Sequence, residues 1–178
     1  MDVLNKALEI HAQNVKAGWW PENRNRPECL MLVVSEVAEA ATGYWDNLPD
    51  DKLPDHPMLD VEIADVAIRL YDLCGIDAGH VDPVWAGRCH IIGEQLTGGI
   101  DTDLLQIVVC VSGAMEHHRK GRLDDYAESL WDALAMVYEF ADEYQIALDE
   151  IVALKREFNR TRADHQIENR ALVGGKAY

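Results

Sequence analysis

Apolar residues recur along this chain at spacings of three and four, the period of an α-helix, while the period-two alternation of strands is absent. Clusters of Gly and Pro interrupt the pattern in GWWPENRNRPE and in NLPDDKLPDHPM, and they predict loops there. The predicted helices cover residues 2–17, 28–45, 57–74, 80–96, 101–119, 122–143 and 147–162. The chain is therefore predicted to fold as an all-α protein.

Two of these helices carry a pair of acids three residues apart in otherwise apolar sequence. Glu36 and Glu39 lie in LMLVVSEVAEAATGYW, and Glu62 and Asp65 lie in LDVEIADVAIRLYDL. Residues i and i+3 share a helix face, so two such helices side by side place four carboxylates at one seam. Carboxylates in an apolar groove need a cation or donors, and oxygen ligands without His or Cys favour Mg²⁺ or Mn²⁺. The pattern predicts a metal site; two solvated helix faces are the simpler interpretation.

The order of these motifs resembles a known family. ExxE, a spacer of 22 residues and ExxD resemble the signature of the all-α nucleoside triphosphate pyrophosphohydrolases of the MazG type. Three longer stretches are similar to successive blocks of MazG-like proteins from bacteria and phages: LMLVVSEVAEA, DDKLPDHPMLDVEIADVAIRLYDLCGID and KREFNRTRADHQIENRALVGGKAY. The resemblance implies a MazG-like helical bundle that cleaves (d)NTPs between the α and β phosphates, giving nucleoside monophosphate and pyrophosphate in nucleotide-pool house-cleaning.

The resemblance also implies roles for the four acids. Glu36, Glu39, Glu62 and Asp65 are expected to bind one or more Mg²⁺ ions, with Mn²⁺ as an alternative. A water activated in this site is expected to attack the α-phosphorus. Glu36 and Glu39 are the expected catalytic pair, with Glu39 as the preferred general base, although the sequence leaves the identity of the base open.

Further residues are expected to bind the triphosphate. Lys155, Asn159 and Arg162 match a KxxxNxxR element that ends many MazG-like proteins, and their spacing of i, i+4 and i+7 predicts a shared helix face. Lys176 lies in a tail that is expected to fold over the substrate. Asp72 occupies a position that the resemblance associates with the nucleotide or the metal. For Arg69, phosphate contact and a salt bridge that orients a carboxylate are both open.

The second half of the chain parallels the first. Residues 105–125 align with 30–50, and residues 126–146 align with 58–76. Three of the four acids are replaced in this alignment and the fourth is kept: Glu36 corresponds to Val111, Glu39 to Ala114, Glu62 to Ser129 and Asp65 to Asp132. A single aspartate holds Mg²⁺ poorly, so the second half is predicted to be catalytically silent.

The repeat predicts three parts in one compact domain: a catalytic repeat at 1–78, a degenerate repeat at 79–146, and a basic C-terminal helix and tail at 147–178 that completes the site. MazG-like proteins generally pair helices of two chains into one bundle, so the fused repeat is expected to be a pseudo-dimer. A monomer is then sufficient, although the chain can still form a homodimer. Coincidental similarity of the second half is the alternative.

The composition of the chain limits the classes of partner that it is expected to bind. Sixteen basic residues against 32 acidic ones give a net charge of −16, which argues against binding a nucleic acid polymer, whereas a bound metal makes a nucleotide substrate compatible with this charge. The four cysteines show no CxxC spacing and are expected to be free thiols. No signal peptide and no apolar run of about 18 residues is found, so a cytoplasmic protein without membrane contact is expected.

A second class of function stays open at this point. A helical module that binds a nucleotide or a partner protein without turnover would keep the same fold, and the loss of acids in the second half is consistent with such decay. All four acids of the first half are present, which favours the enzyme. A di-iron carboxylate bundle is disfavoured because its usual ExxH pairs are missing.

Overall fold

The computed structural model describes residues 3–22, 24–80, 96, 98–165 and 167–170. Across these ranges the regular structure is entirely helical, and β-type pairing is confined to an isolated bridge between Pro49 and Pro57. The helices are α1 (Val3–Lys16), α2 (Arg26–Asp46), α3 (Met58–Ile76), α4 (Ile100–Arg119), α5 (Leu123–Glu143), α6 (Leu148–Thr161) and the short α7 (Ile167–Arg170). The prediction of an all-α protein is confirmed.

For six of the predicted helices, both limits lie within two residues of the prediction, and the largest shifts are at the start of α2 and at the end of α3. Helix α2 begins at Arg26 because the side chain of Asn25 accepts the backbone N–H of Glu28 at 2.9 Å, while Pro27 is tolerated in the first turn. The helix predicted at 80–96 falls almost wholly outside the described residues, and it stays a prediction.

Helices α2 and α3 form an antiparallel hairpin whose connection is held closed. Helix α2 is capped at its C-terminus by Asn47, which adopts a left-handed conformation with φ 50°. Two backbone hydrogen bonds then bring the ends of the loop together, from Met58 N to Leu48 O at 2.9 Å and from Asp50 N to His56 O at 3.0 Å. Gly43 lets the helices approach closely, because a Cβ there would lie 2.7 Å from the Cβ of Met58.

Helix α3 is the central element of the bundle. It packs against α1, α2, α5 and α6, and its buried residues extend from Val61 to Gly75 around most of its circumference. A helix that is apolar on nearly every side is expected to be buried. Acids on such a helix are therefore held among apolar neighbours instead of facing bulk water, which is the condition for a functional carboxylate site.

Helices α4 and α5 form a second hairpin that packs against the first. Helix α4 contacts α2, and α5 contacts α3. The indole N–H of Trp45 also donates to the carboxylate of Asp101 at 2.6 Å, which ties the end of α2 to the start of α4. This pairing of corresponding helices is the arrangement that the proposed repeat predicts, while the duplication itself stays a prediction.

Three cysteines belong to the described residues, and each is a free thiol: Cys29, Cys74 and Cys110. Cys89 lies outside these residues. None of the helices in the described ranges combines the length and apolar character that crossing a membrane requires.

Candidate metal centre

Three of the four predicted ligands come together between α2 and α3. Glu36, Glu62 and Asp65 each offer a carboxylate oxygen, and these oxygens all lie within 4.8 Å of one another. Glu36 and Glu62 are buried, with 6% and 5% of their surface exposed, and the side chain of Asp65 keeps 18% exposure. The hairpin brings these acids together, with Glu36 at the middle of α2 and Glu62 in the first turns of α3.

Two cations from the same chain balance part of this charge. Lys155 of α6 is buried, and its Nζ lies 3.0 Å from Oδ2 of Asp65. The guanidinium of Arg69 pairs with Glu36, and its Nε donates to Oε1 at 2.6 Å. Of the two roles that the sequence left open for Arg69, the salt bridge that orients a carboxylate is the one observed. Three carboxylates thus face two protein cations.

The electrostatics of the cluster raise the pKa of two of its acids, Glu62 and Asp65. Burial and the neighbouring charge of Asp65 raise the pKa of Glu62 to about 9. Burial also raises the pKa of Asp65 to about 6, although the charge of Lys155 opposes the increase. Burial lowers the pKa of Lys155, but the charges of Asp65 and Glu62 outweigh this effect and raise it. The two protein cations therefore do not offset the burial of Glu62 and Asp65.

These residues fit a divalent cation with hard oxygen ligands. Three carboxylate oxygens converge, and no His or Cys belongs to the described group. Magnesium is usually bound by one or two carboxylates and keeps several waters, and manganese accepts the same donors. A bound divalent ion would supply positive charge next to Glu36, Glu62 and Asp65. The three oxygen donors and the raised pKa values of Glu62 and Asp65 therefore both fit such an ion.

Glu39, the fourth predicted ligand, lies at the edge of this centre. Its side chain is exposed and stands outside the group of three oxygens within 4.8 Å. Partial burial and the charge of Glu36 nevertheless raise its pKa. Glu39 therefore borders the site on its solvent side, where its carboxylate can exchange a proton with a water. This position suits a direct metal ligand less well.

Asp72 is occupied by contacts that the sequence did not predict. Its carboxylate lies 2.7 Å from Nδ1 of His11, accepts Nδ2 of Asn14 at 2.7 Å, and accepts the indole N–H of Trp20 at 2.9 Å. The guanidinium of Arg24 lies over the same indole, 5.7 Å from the ring centroid. These partners were missed because they come from α1 and the following loop; the available signal was a polar His11 within the apolar spacing of α1.

The predicted C-terminal element extends one residue past the end of α6. Lys155 and Asn159 lie on α6, and Asn159 Oδ1 is buried with no partner in the described part of the chain. Arg162 follows the last residue of α6 with extended backbone, and its guanidinium stacks over Phe158 at 5.6 Å. The shared face that the spacing predicts for Arg162 stays a prediction. Lys176 lies outside the described residues, and its role stays a prediction.

The second half holds no comparable cluster among the residues that the structure describes. Val111 and Ala114 are buried apolar side chains, and the hydroxyl of Ser129 bonds to the backbone oxygen of Asp125 at 2.9 Å. Asp132 stands without the other acids, and burial followed by the charge of Glu128 raises its pKa. The described positions that correspond to the four acids thus keep a single carboxylate, that of Asp132, which by itself holds Mg²⁺ poorly.

Comparisons of the chain with protein-family models, with curated proteins and with solved structures found no match. The likeness to MazG-type enzymes therefore depends on the sequence motifs alone, and it stays a prediction.

Proposed function

We propose that this protein is a Mg²⁺-dependent nucleoside triphosphate pyrophosphohydrolase that converts (d)NTPs to nucleoside monophosphate and pyrophosphate. The observation that carries the proposal is the convergence of Glu36, Glu62 and Asp65 within 4.8 Å, next to the buried ammonium of Lys155. A polyphosphate requires both a divalent cation and a protein cation, and this arrangement provides ligands for the first and contains the second. Nucleotide-pool house-cleaning in the cytoplasm is the corresponding biological role.

The chemistry assigns a separate task to each group. Glu36, Glu62 and Asp65 would hold the metal ion, which supplies positive charge for the triphosphate and lowers the pKa of a nearby water. Glu39, accessible and with a raised pKa, accepts the proton as the water oxygen bonds to the α-phosphorus. The bond from the α-phosphorus to the bridging oxygen breaks, and the electron pair leaves with pyrophosphate. Lys155 stabilises the charge that develops on this leaving group.

The test is pyrophosphate release from a panel of NTPs and dNTPs with Mg²⁺. We expect metal-dependent release by the native protein and a loss of at least 100-fold in Glu39→Gln, because general-base catalysis typically contributes about 10²–10⁴ in rate. Glu143→Gln is the matched control, since Glu143 is exposed near the end of α5. Release that survives Glu39→Gln unchanged would remove Glu39 from the mechanism, and no release from any nucleotide would reject the enzyme.

A non-catalytic binding module is the second candidate, and one observation favours it. Glu36 and Asp65 are each paired with a cation of the same chain, so the fold can tolerate these acids without any metal. Nucleotide binding measured by calorimetry, in the absence of turnover, would support this module. The absence of release and of binding would reject both candidates.

A further inference from the structure

The loop between α2 and α3 buries a carboxyl group next to the candidate metal centre. Asp50 has 1% of its surface exposed. Its Oδ1 accepts the backbone N–H groups of Lys52 at 2.9 Å and Leu53 at 2.6 Å. One oxygen of this carboxyl group therefore fixes the turn of the loop, which is a common use of Asp.

The second carboxylate oxygen of Asp50 does not take part in fixing the turn. Oδ2 is buried and has no hydrogen-bond partner in the described part of the chain. A buried polar oxygen without a partner costs about 1–3 kcal/mol, and more when the group is charged. Asn at this position would keep the Oδ1 contacts without a second carboxylate oxygen. The turn alone therefore does not explain an aspartate here.

Lys155, on the neighbouring helix α6, needs a carboxylate partner for its buried ammonium. Its ammonium is buried and forms its ion pair with Asp65, the same carboxylate that belongs to the metal centre. A divalent ion held by Asp65 would repel this ammonium, and a buried ammonium that loses its partner is strongly destabilised. Metal binding therefore requires a second acceptor near Lys155.

The charge of Asp50 also acts on this ammonium. Burial lowers the pKa of Lys155, and the charges of Asp65, Glu62 and Asp50 together raise it above its usual value. The topology agrees, because the loop leads directly into the start of α3, close to Glu62, and α6 packs against α3.

We propose that Asp50 is a positioning residue of the metal centre: Oδ2 accepts the Lys155 ammonium when a divalent ion takes the Asp65 carboxylate. Lys155 thereby moves from one carboxylate to the other and remains inside the site. This inference depends on the metal centre of the proposed function, but it does not require turnover. It assigns the unpartnered oxygen a partner that becomes available only in the metal-bound protein.

The experiment measures Mn²⁺ affinity of the full chain by electron paramagnetic resonance, with thermal unfolding in chelator as a second readout. We expect Asp50→Asn to bind Mn²⁺ about 10-fold more weakly, the usual size of effect for residues that support metal ligands. Its unfolding temperature in chelator should be equal to or above that of the native protein. Asp55→Asn, an exposed change in the same loop, should leave both quantities unchanged.

A double-mutant cycle separates the proposed contact from a simple effect of charge. Through-space attraction between Asp50 and the metal would persist after Lys155 is removed, whereas the proposed transfer would not. We therefore expect Asp50→Asn to have no effect on Mn²⁺ affinity in a Lys155→Met background. An equal loss in both backgrounds would overturn the proposal. If Lys155→Met does not fold, Lys155→Gln serves as the second background.

The Asp50→Asn variant can by itself overturn the inference. Native Mn²⁺ affinity in Asp50→Asn overturns the inference, even when the protein releases pyrophosphate. A weaker affinity that depends on Lys155 supports it, even when no nucleotide is hydrolysed and the proposed function fails. A native protein that binds no Mn²⁺ overturns it as well.

Discussion

The ammonium of Lys155 lies 3.0 Å from the carboxylate of Asp65, and this pair joins α6 to α3 at the candidate metal centre. The same contact makes Lys155 a competitor of any metal ion that Asp65 binds. A buried cation in this position therefore has two opposite effects, because it stabilises the metal-free protein and weakens the first binding of a divalent ion.

Lys155→Met tests these opposite effects. Removal of the ammonium leaves Asp65 without its partner, so we expect the metal-free protein to lose about 1–3 kcal/mol of unfolding free energy in urea. Mn²⁺ affinity should increase because a competing positive charge is gone, while pyrophosphate release should decrease. A variant that is as stable as the native protein in chelator would contradict the role of this pair.

The pH dependence of stability should be controlled largely by Glu62. Its pKa is raised from 4.5 to about 9, so between these values the folded protein keeps a proton that the unfolded chain has released. Stability is therefore highest at low pH within this window and decreases as the pH rises. We expect a loss of roughly 1–3 kcal/mol between about pH 5 and pH 9 in chelator.

Glu62→Gln is the control for that titration, because the amide cannot release a proton. Its unfolding free energy should be flatter over the same pH range, measured by urea titration at each pH. An identical slope in the native protein and in Glu62→Gln would show that another group is responsible.

The three contacts of Asp72 predict a structural role that can be measured. Asp72→Asn leaves one acceptor oxygen for His11, Asn14 and Trp20 together, so we expect a loss of about 1–3 kcal/mol. The emission of Trp20 should change as its indole N–H loses its partner. Asp142→Asn, at an exposed site on α5, should stay within about 0.5 kcal/mol of the native protein.

Two glycines offer a matched test of helix packing. A Cβ at Gly75 would lie 2.5 Å from the backbone oxygen of Ala7, so Gly75→Ala must displace α1 and should cost about 1–3 kcal/mol. A Cβ at Gly113 would meet nothing within 4 Å. Gly113→Ala should stabilise α4 by about 0.5–1 kcal/mol in thermal or urea unfolding. Equal effects would contradict the close approach of α1 and α3.

The sequence by itself determined the helical class and most helix limits, because the spacing of apolar residues reports directly which face of a segment is buried. It also identified Glu36, Glu62 and Asp65 as candidate ligands, since acids in apolar helices are destabilising unless a cation or hydrogen-bond donors neutralise them. The Mg²⁺ site, the enzymatic activity and the fused repeat are predictions that the sequence motivates and that the experiments above must test.

The tertiary structure decided which side chains meet. Spacing along one helix could not show that Arg69 pairs with Glu36, that Asp72 faces α1, or that Arg162 lies beyond the end of α6. The burial of Asp50 was equally hidden, because a loop of this composition usually faces solvent. Each of these results depends on contacts between distant segments, and such contacts are set by how the helices pack and not by the residues near each position.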